Sequence, residues 1–332
     1  MDGVNFFESV TDPDYDFSFL QVYVNDELTD IPANALTAAA GDDIKIVSRS
    51  KPYPFFCPNS NGYIASIEEP LPFMDNDDFS NYFYYCTSLT SIPENLFINN
   101  PQITRFRGCF YNCISLTLIP TGLFDNNPNV TDFSYCFQEC ISLTSIPARL
   151  FDNNPNVTDF SYCFYGCTSL TSIPQGLFDN NLNVTNFIRC FFSCNSLTSI
   201  PAGLFDNNTN VTSFSYCFTR CTSLTSIPVG LFDNNTKVTD FSNCFGECTS
   251  LTSIPAGLFD KNTNVTDFSN CFSYCENLTV NVQIGSTTTN RVYVYYFACR
   301  TAAKGTVYCR AGSKAYEAFS STSSANVNVR TY

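Results

Sequence analysis

The chain contains no histidine, no tryptophan and only two methionines among its 332 residues. Without histidine it lacks the usual general base at neutral pH, the Ser-His-Asp and Cys-His nucleophile arrangements, and the commonest metal ligand. A carboxylate pair could still hydrolyse a glycosidic bond. No isolated pair breaks the pattern described below, so no catalytic residue, metal or cofactor is assigned and a non-enzymatic role is expected. Apolar runs stay short of the ~18 residues of a membrane span. Residues 1–16 lack the basic start and apolar middle of a secretory signal. Basic residues are few, 16 against 30 acidic for a net charge of −14, and no basic cluster stands out. That balance argues against nucleic acid as a partner.

What is present is repetition. The stretch Phe160 to Asn186 recurs, lightly edited, from Phe79, Phe106, Phe133, Phe187, Phe214, Phe241 and Phe268, at a constant step of 27 residues. A fixed period of this length is the mark of a solenoid, whose units bury their apolar sides only against each other. Within one copy, Val157, Phe160, Cys163, Phe164 and Cys167 have the spacing of one helix face, with Thr158 and Asp159 placed to cap its start. Ser169 to Ile173 is short, β-branched and stopped by Pro174, which predicts a short strand in a parallel stack. Pro174 then suits the first turn of a short helical segment through Phe178, and Asp179-Asn180-Asn181 closes the corner through bonds to its own backbone.

The predicted fold is thus an α/β repeat, a right-handed solenoid of 27-residue coils, each a short parallel strand, a short helical turn and a helix. Residues 1–65 do not follow the repeat and predict a β-rich N-terminal cap, with strands in Phe17 to Val24 and Ile44 to Val47 around a Gly41-Asp42-Asp43 turn. There Leu28 to Leu36 echoes the repeat, and Lys51 to Pro58 is too proline-rich for a central strand. Residues 66–279 form the solenoid. Residues 280–332 predict a C-terminal cap with strands at Leu278 to Val282, Arg291 to Phe297, Gly305 to Arg310 and Val327 to Tyr332, and a helix over Ser313 to Phe319 capped by Ser313.

On the pattern Phe164, Cys167, Leu170, Ile173 and Pro174, the chain resembles the leucine-rich repeats of the BspA-like kind found in bacterial surface proteins, and related repeats of gut bacteria and their phages. The tail resembles that family's ending, with Gly305 to Tyr308 before Ala311-Gly312-Ser313 and a helix containing Tyr316. The resemblance covers Phe79 to the C terminus and implies a binding or adhesion protein at a cell surface or outside the cell, or a structural component of an assembly such as a phage particle. The repeat is longer than the commonest form and lacks a second inward leucine, departures that bear on the regularity of the concave sheet.

Fifteen of the 18 cysteines fall in two columns, Cys109 to Cys271 and Cys86 to Cys275, each at the repeat step. Buried reduced thiols are the expected reading; disulfides within or between coils, or zinc, are the alternatives. Asp125, Asp152, Asp179, Asp206, Asp233 and Asp260 form a carboxylate column, read as corner-closing side chains answered by backbone amides rather than as a calcium site. Asn129, Asn156, Asn183, Asn210 and Asn264 each precede Val-Thr and match a glycosylation acceptor, though they fit the corner more simply. The positions that vary between copies are those around the Phe and Cys columns, where Tyr84, Tyr85, Tyr111, Tyr135, Tyr162, Tyr165, Phe192 and Tyr216 lie. A surface that differs from copy to copy can recognise one partner. Aromatics supply contact area at low entropic cost, so these eight residues are the candidate site for a protein or glycan ligand; packing between neighbouring helices explains them about as well.

Overall fold

The computed structural model describes residues 66–332, apart from residues 68, 72, 302 and 323–325, together with the backbone of five short strands nearer the N terminus. Those strands are β1 (Val4–Asn5), β2 (Leu20–Val24), β3 (Glu27–Thr29), β4 (Thr37–Ala38) and β5 (Ile44–Ser48). β1 pairs with β4, and β3-β2-β5 forms an antiparallel sheet. The expected strands at 17–24 and 44–47 correspond to β2 and β5. The 41–43 turn, most of the 28–36 echo and the 51–58 stretch lie outside the described residues.

From Ser66 onward, successive copies stack and bond to one another. Asp78, Arg105, Asp132, Asp159, Asn186, Ser213, Asp240 and Asp267 are joined one to the next by single parallel bridges, and Asp267 is joined to Tyr293. The helix expected over Val157 to Cys167 is absent. In its place each copy makes two consecutive four-residue turns, Phe-x-x-Cys and Phe-x-x-Cys, with Tyr82 in place of the first cysteine in the first copy. The Cys136 amide donates to the Phe133 carbonyl (3.2 Å) and the Cys140 amide to that of Phe137 (3.2 Å). The third residue of each turn, Tyr135 or Glu139, has a positive φ near 60°, the type II pattern. This turn sets its central peptide along the stack: the Ser134 carbonyl accepts from the Gly108 amide (2.8 Å) while the Tyr135 amide donates to the Ser161 carbonyl (2.9 Å). A helix would keep those groups within one copy and leave the stack unbonded.

The inward residues explain why the spacing reads as helical. Val157, Phe160, Cys163, Phe164, Cys167, Leu170 and Ile173 are all buried, mostly three residues apart, because four-residue turns follow one another around the copy. The strand expected at Ser169 to Ile173 fails for the same reason. Leu170 and Ile173 both face inward while Thr171 and Ser172 are exposed, a step of three that a pleated strand cannot make. What remains there is about one bond per step, such as the Thr171 amide to the Thr144 carbonyl (3.2 Å).

Three phenylalanine columns fill the core. Phe133 stacks on Phe160 (5.8 Å, 4°), Phe137 on Phe164 (5.7 Å, 6°) and Phe124 on Phe151 (6.1 Å, 9°), while Phe151 leans across onto Phe160 at 4.7 Å. At roughly 1.5–3 kcal/mol for each fully buried ring, this is the main cohesive element. The cysteine columns lie beside them, buried and free of disulfides. Thiols of the second column donate to a carbonyl of the preceding copy, as Cys167 does to Phe137 (3.2 Å).

The Asp-Asn-Asn corner differs from expectation. Asn181 is fully buried, and its Nδ2 donates to the carbonyls of Phe151 (3.0 Å) and Asn154 (2.9 Å) in the preceding copy rather than to its own backbone. Asn156 and Asn183 do likewise toward Pro128 and Pro155 (both 3.1 Å), so the amide nitrogens of the apparent acceptor sites serve stacking. The Asp179 column receives no backbone amide among the described residues. Its carboxylates instead lie over the preceding glycine, with Asp179 Oδ2 only 2.8 Å from where a Cβ on Gly176 would stand. Amides are answered by the other column: Asp159 Oδ1 accepts from the Ser161 amide (2.6 Å), so the predicted cap is real but caps a turn.

After the eighth copy the proline is lost and true strands form: β6 (Thr279–Ile284), β7 (Ala303–Cys309) and β8 (Val327–Thr331), a parallel sheet in that order, with α1 (Lys314–Ser321) between β7 and β8. Ser313 Oγ caps α1 by accepting from the Tyr316 amide (3.1 Å). Arg291 to Phe297 is no strand. It enters a ninth pair of turns, in which the Phe272 amide donates to the Phe297 carbonyl (2.8 Å) and Tyr296 and Arg300 take the positive φ positions.

Candidate functional site

The two stacked turns of each copy project their second and third residues outward, and this places the candidate aromatics in rows along the stack. Tyr135 and Tyr162 lie face to face at 4.4 Å and 9°. Tyr162 meets Tyr165 at 5.7 Å, Tyr165 stacks on Phe192 at 4.7 Å and 2°, and Phe192 reaches Tyr216 at 6.3 Å. A second group unites Tyr84 with Tyr85 (4.5 Å) and Tyr111 (4.8 Å). Between the groups the third copy carries Gln138 and Glu139, and Gln138 is buried. The eight expected residues therefore form two clusters rather than one. Tyr85 is exposed and Phe192 is buried; the remaining six are half-buried. Burial lifts the phenols of Tyr84 and Tyr111 above the ordinary range, so they stay neutral donors. Burial likewise raises the Glu139 carboxyl.

Arginines complete the larger cluster. Arg189 occupies the same turn position as Tyr162 and Tyr216, its guanidinium carbon 5.3 Å from the first ring and 4.5 Å from the second, and its Nη1 donates to the Tyr162 hydroxyl (2.7 Å). Arg107 caps Tyr135 from the other side at 4.4 Å and donates to Ser134 Oγ (2.8 Å). Such cation-ring contacts contribute ~0.5–2 kcal/mol each. Arg107, Tyr135, Tyr162, Arg189 and Tyr216 thus make one continuous stack. Arg107 and Arg189 form no ion pair among the described residues, whereas Arg220, over Phe192, is held by Glu247 at 3.0 Å. Reading aromatics alone missed these arginines; Arg189 was legible as the member of a tyrosine column that is not tyrosine.

The backbone at this stack is costly. Tyr135, Tyr162, Arg189 and Tyr216 have φ of 60°, 58°, 55° and 58°, a region where glycine and asparagine are at ease and bulky residues cost ~1–2 kcal/mol each. The equivalent residues in other copies are Asn81, Gly108, Asn243 and Asn270. Among the eight copies, the four central ones place large side chains there; the ninth pair of turns does so again with Tyr296.

The model of the family described as "Mycoplasma protein of unknown function, DUF285" matches residues 77–201 and 185–304. The chain belongs to this family. The DUF285 match includes every residue of both clusters. Among solved structures, the chain is similar to a leucine rich cell surface protein from Faecalibacterium prausnitzii, 18% identical over 93% of this chain and 97% of that one, with a TM-score of 0.32. It is also similar to a chain of the Drosophila Toll–Spatzle complex (18% identity, 70% of this chain and 38% of that chain, TM-score 0.29) and to one of the LRIM1/APL1C complex (11%, 79% and 39%, 0.32). It spans well under half the length of those last two. No curated protein matches it.

Proposed function

We propose that the chain is a non-enzymatic binding protein and that the Arg107 to Tyr216 stack is its recognition surface for a protein partner. The observation that carries this reading is the set of four bulky residues in left-handed backbone, where the flanking copies have asparagine or glycine. Local strain of this kind persists where the surroundings hold it and gathers at functional sites. Of the two ligand classes expected, protein is favoured. A sugar or a nucleobase stacks on the open face of a ring, but here the faces of Tyr135 and Tyr162 are covered by each other and by arginine. What the stack offers outward is ring edges, hydroxyls and guanidinium groups, the amphipathic set common in protein interfaces. The bacterial-surface setting implied by the resemblance belongs to the same proposal.

The test compares the wild type with a variant carrying Tyr135→Asn, Tyr162→Asn, Arg189→Asn and Tyr216→Asn, the residue type that Asn243 and Asn270 already show to fit. Both are immobilised and exposed to proteins of the native source and to a glycan panel. A saturable protein ligand held by the wild type and weakened at least about tenfold by the variant is expected. Identical retention on both, or a glycan retained on the wild type alone, would overturn the reading.

A further inference from the structure

A second surface lies beyond the eighth copy, away from the stack just described. Residues 280–332 carry Arg291, Arg300, Lys304, Arg310, Lys314 and Arg330 against a single acid, Glu317, in a chain of net charge −14. A groove of about 550 Å3 opens between the segment Arg291 to Tyr295 and the side of α1 formed by Lys314, Glu317 and Ser321. Val292 and Val294, which also line it, are buried, while Tyr293 (39%) and Tyr295 (48%) stand exposed at its mouth. Tyr296 (55%) and Tyr274 (43%) continue the exposed aromatic surface from the adjoining turns. Arg291 lies over the Tyr293 ring at 5.1 Å and donates to the Tyr295 hydroxyl (3.3 Å); Arg300 lies over Tyr274 at 5.3 Å. Neither arginine makes an ion pair among the described residues. The only acid lining the groove, Glu317, is held by Lys314 at 2.8 Å.

We propose that this groove docks a short acidic segment of a partner protein. Arg291 lines the groove without a counter-charge, and Arg300 adds a second unpaired guanidinium on the adjoining aromatic surface; on an otherwise acidic molecule they supply local complementarity to carboxylates. Exposed tyrosine and arginine over an apolar floor is the composition of interface hot spots. The volume falls in the range that encloses a few side chains. A nucleic acid would run on past the groove with a charge at every phosphate, against a molecule that is acidic elsewhere; a short acidic segment places its few charges at the arginines alone.

The full chain is titrated against three labelled probes of equal length: a 12-residue peptide of repeated Asp-Leu-Glu, its Asn-Leu-Gln counterpart, and an oligo-thymidylate. The acidic peptide is expected to bind, with affinity falling as salt rises. Arg291→Gln with Lys314→Gln should weaken it at least about tenfold, Tyr293→Ser with Tyr295→Ser should weaken it too, and the four-asparagine variant of the central stack should bind it unchanged. The groove side chains Arg291, Tyr293, Tyr295 and Lys314 are exposed, and unchanged thermal melting of the variants confirms that they fold. Equal binding of the amide peptide, indifference to Arg291→Gln with Lys314→Gln, tighter binding of the oligonucleotide, or no binding of the acidic peptide would each overturn the proposal. Salt-sensitive self-association abolished by the same variants would also overturn it, naming a second copy as the occupant.

Discussion

Asn181 shows how much one side chain can carry in a repeat. It is fully buried, and its amide nitrogen satisfies two carbonyls of the preceding copy, as do Asn154, Asn208, Asn235 and Asn262. Asn181→Asp removes the donor and sets a buried carboxylate against those carbonyls, so a loss of ~3–5 kcal/mol is expected in urea unfolding at neutral pH. Asn183→Ala, at an exposed residue whose bond reaches only Pro155, should cost less than ~1 kcal/mol. If the two variants unfold alike, the buried column is not what ties the copies together. The sequence showed that these asparagines recur, but short-range rules assigned them to their own corner; nothing in a single copy reveals a partner 27 or 30 residues away.

At the scale of the element, the paired turns replace the expected helix, and the substitution has a simple cause. Inward residues at steps of three and four fit a helix and equally fit two four-residue turns laid end to end. The deciding signal was present but weak: Gly108, Gly166, Asn81, Asn112, Asn243 and Asn270 sit where a positive φ is needed, yet Tyr135, Tyr162 and Arg189 occupy the same places in the central copies and hide the rule. The turn after proline gives a cleaner test. Its left-handed position is Gly176 (φ 72°) in one copy and Arg149 (φ 64°) in another. Arg149→Gly is expected to stabilise by ~0.5–1 kcal/mol, since its ion pair with Asp152 spans 3.7 Å from an arginine that is 86% exposed and contributes little. Gly176→Ala should destabilise by more than ~1 kcal/mol, because the new Cβ meets both the φ penalty and the Asp179 carboxylate. Opposite signs in chemical denaturation are the expected result; matching signs would refute the turn assignment. The C-terminal strands and α1 were legible because they follow local rules, alternation in β6 and a serine cap on α1.

For the whole molecule, the cysteine columns impose a pH limit. Burial pushes fourteen of their thiols well upward, Cys275 to about 12. In the unfolded chain they ionise near ~8.5. A raised folded pKa leaves stability whole below that value and drains it as pH climbs, because only the unfolded state gives up its protons. One unit above, each thiol contributes a loss of ~1.4 kcal/mol. Fourteen together exceed the ~5–15 kcal/mol that holds a typical domain. Under reducing conditions the melting temperature should be level from neutrality to about pH 8 and collapse by about pH 9.5–10; an intact fold at pH 10 would show that the thiols are not buried as a body.

The account rests on the central stack being kept for recognition rather than for folding, and a thermal melt of the variant with asparagine at Tyr135, Tyr162, Arg189 and Tyr216 tests this most directly. Relief of backbone strain, ~1–2 kcal/mol at each site, offsets the lost ring and cation contacts, ~0.5–2 kcal/mol each. The melting temperature is therefore expected to stay within about 5 °C of the wild type. A fall of more than about 15 °C would mean that these side chains hold the copies together and would contradict the account.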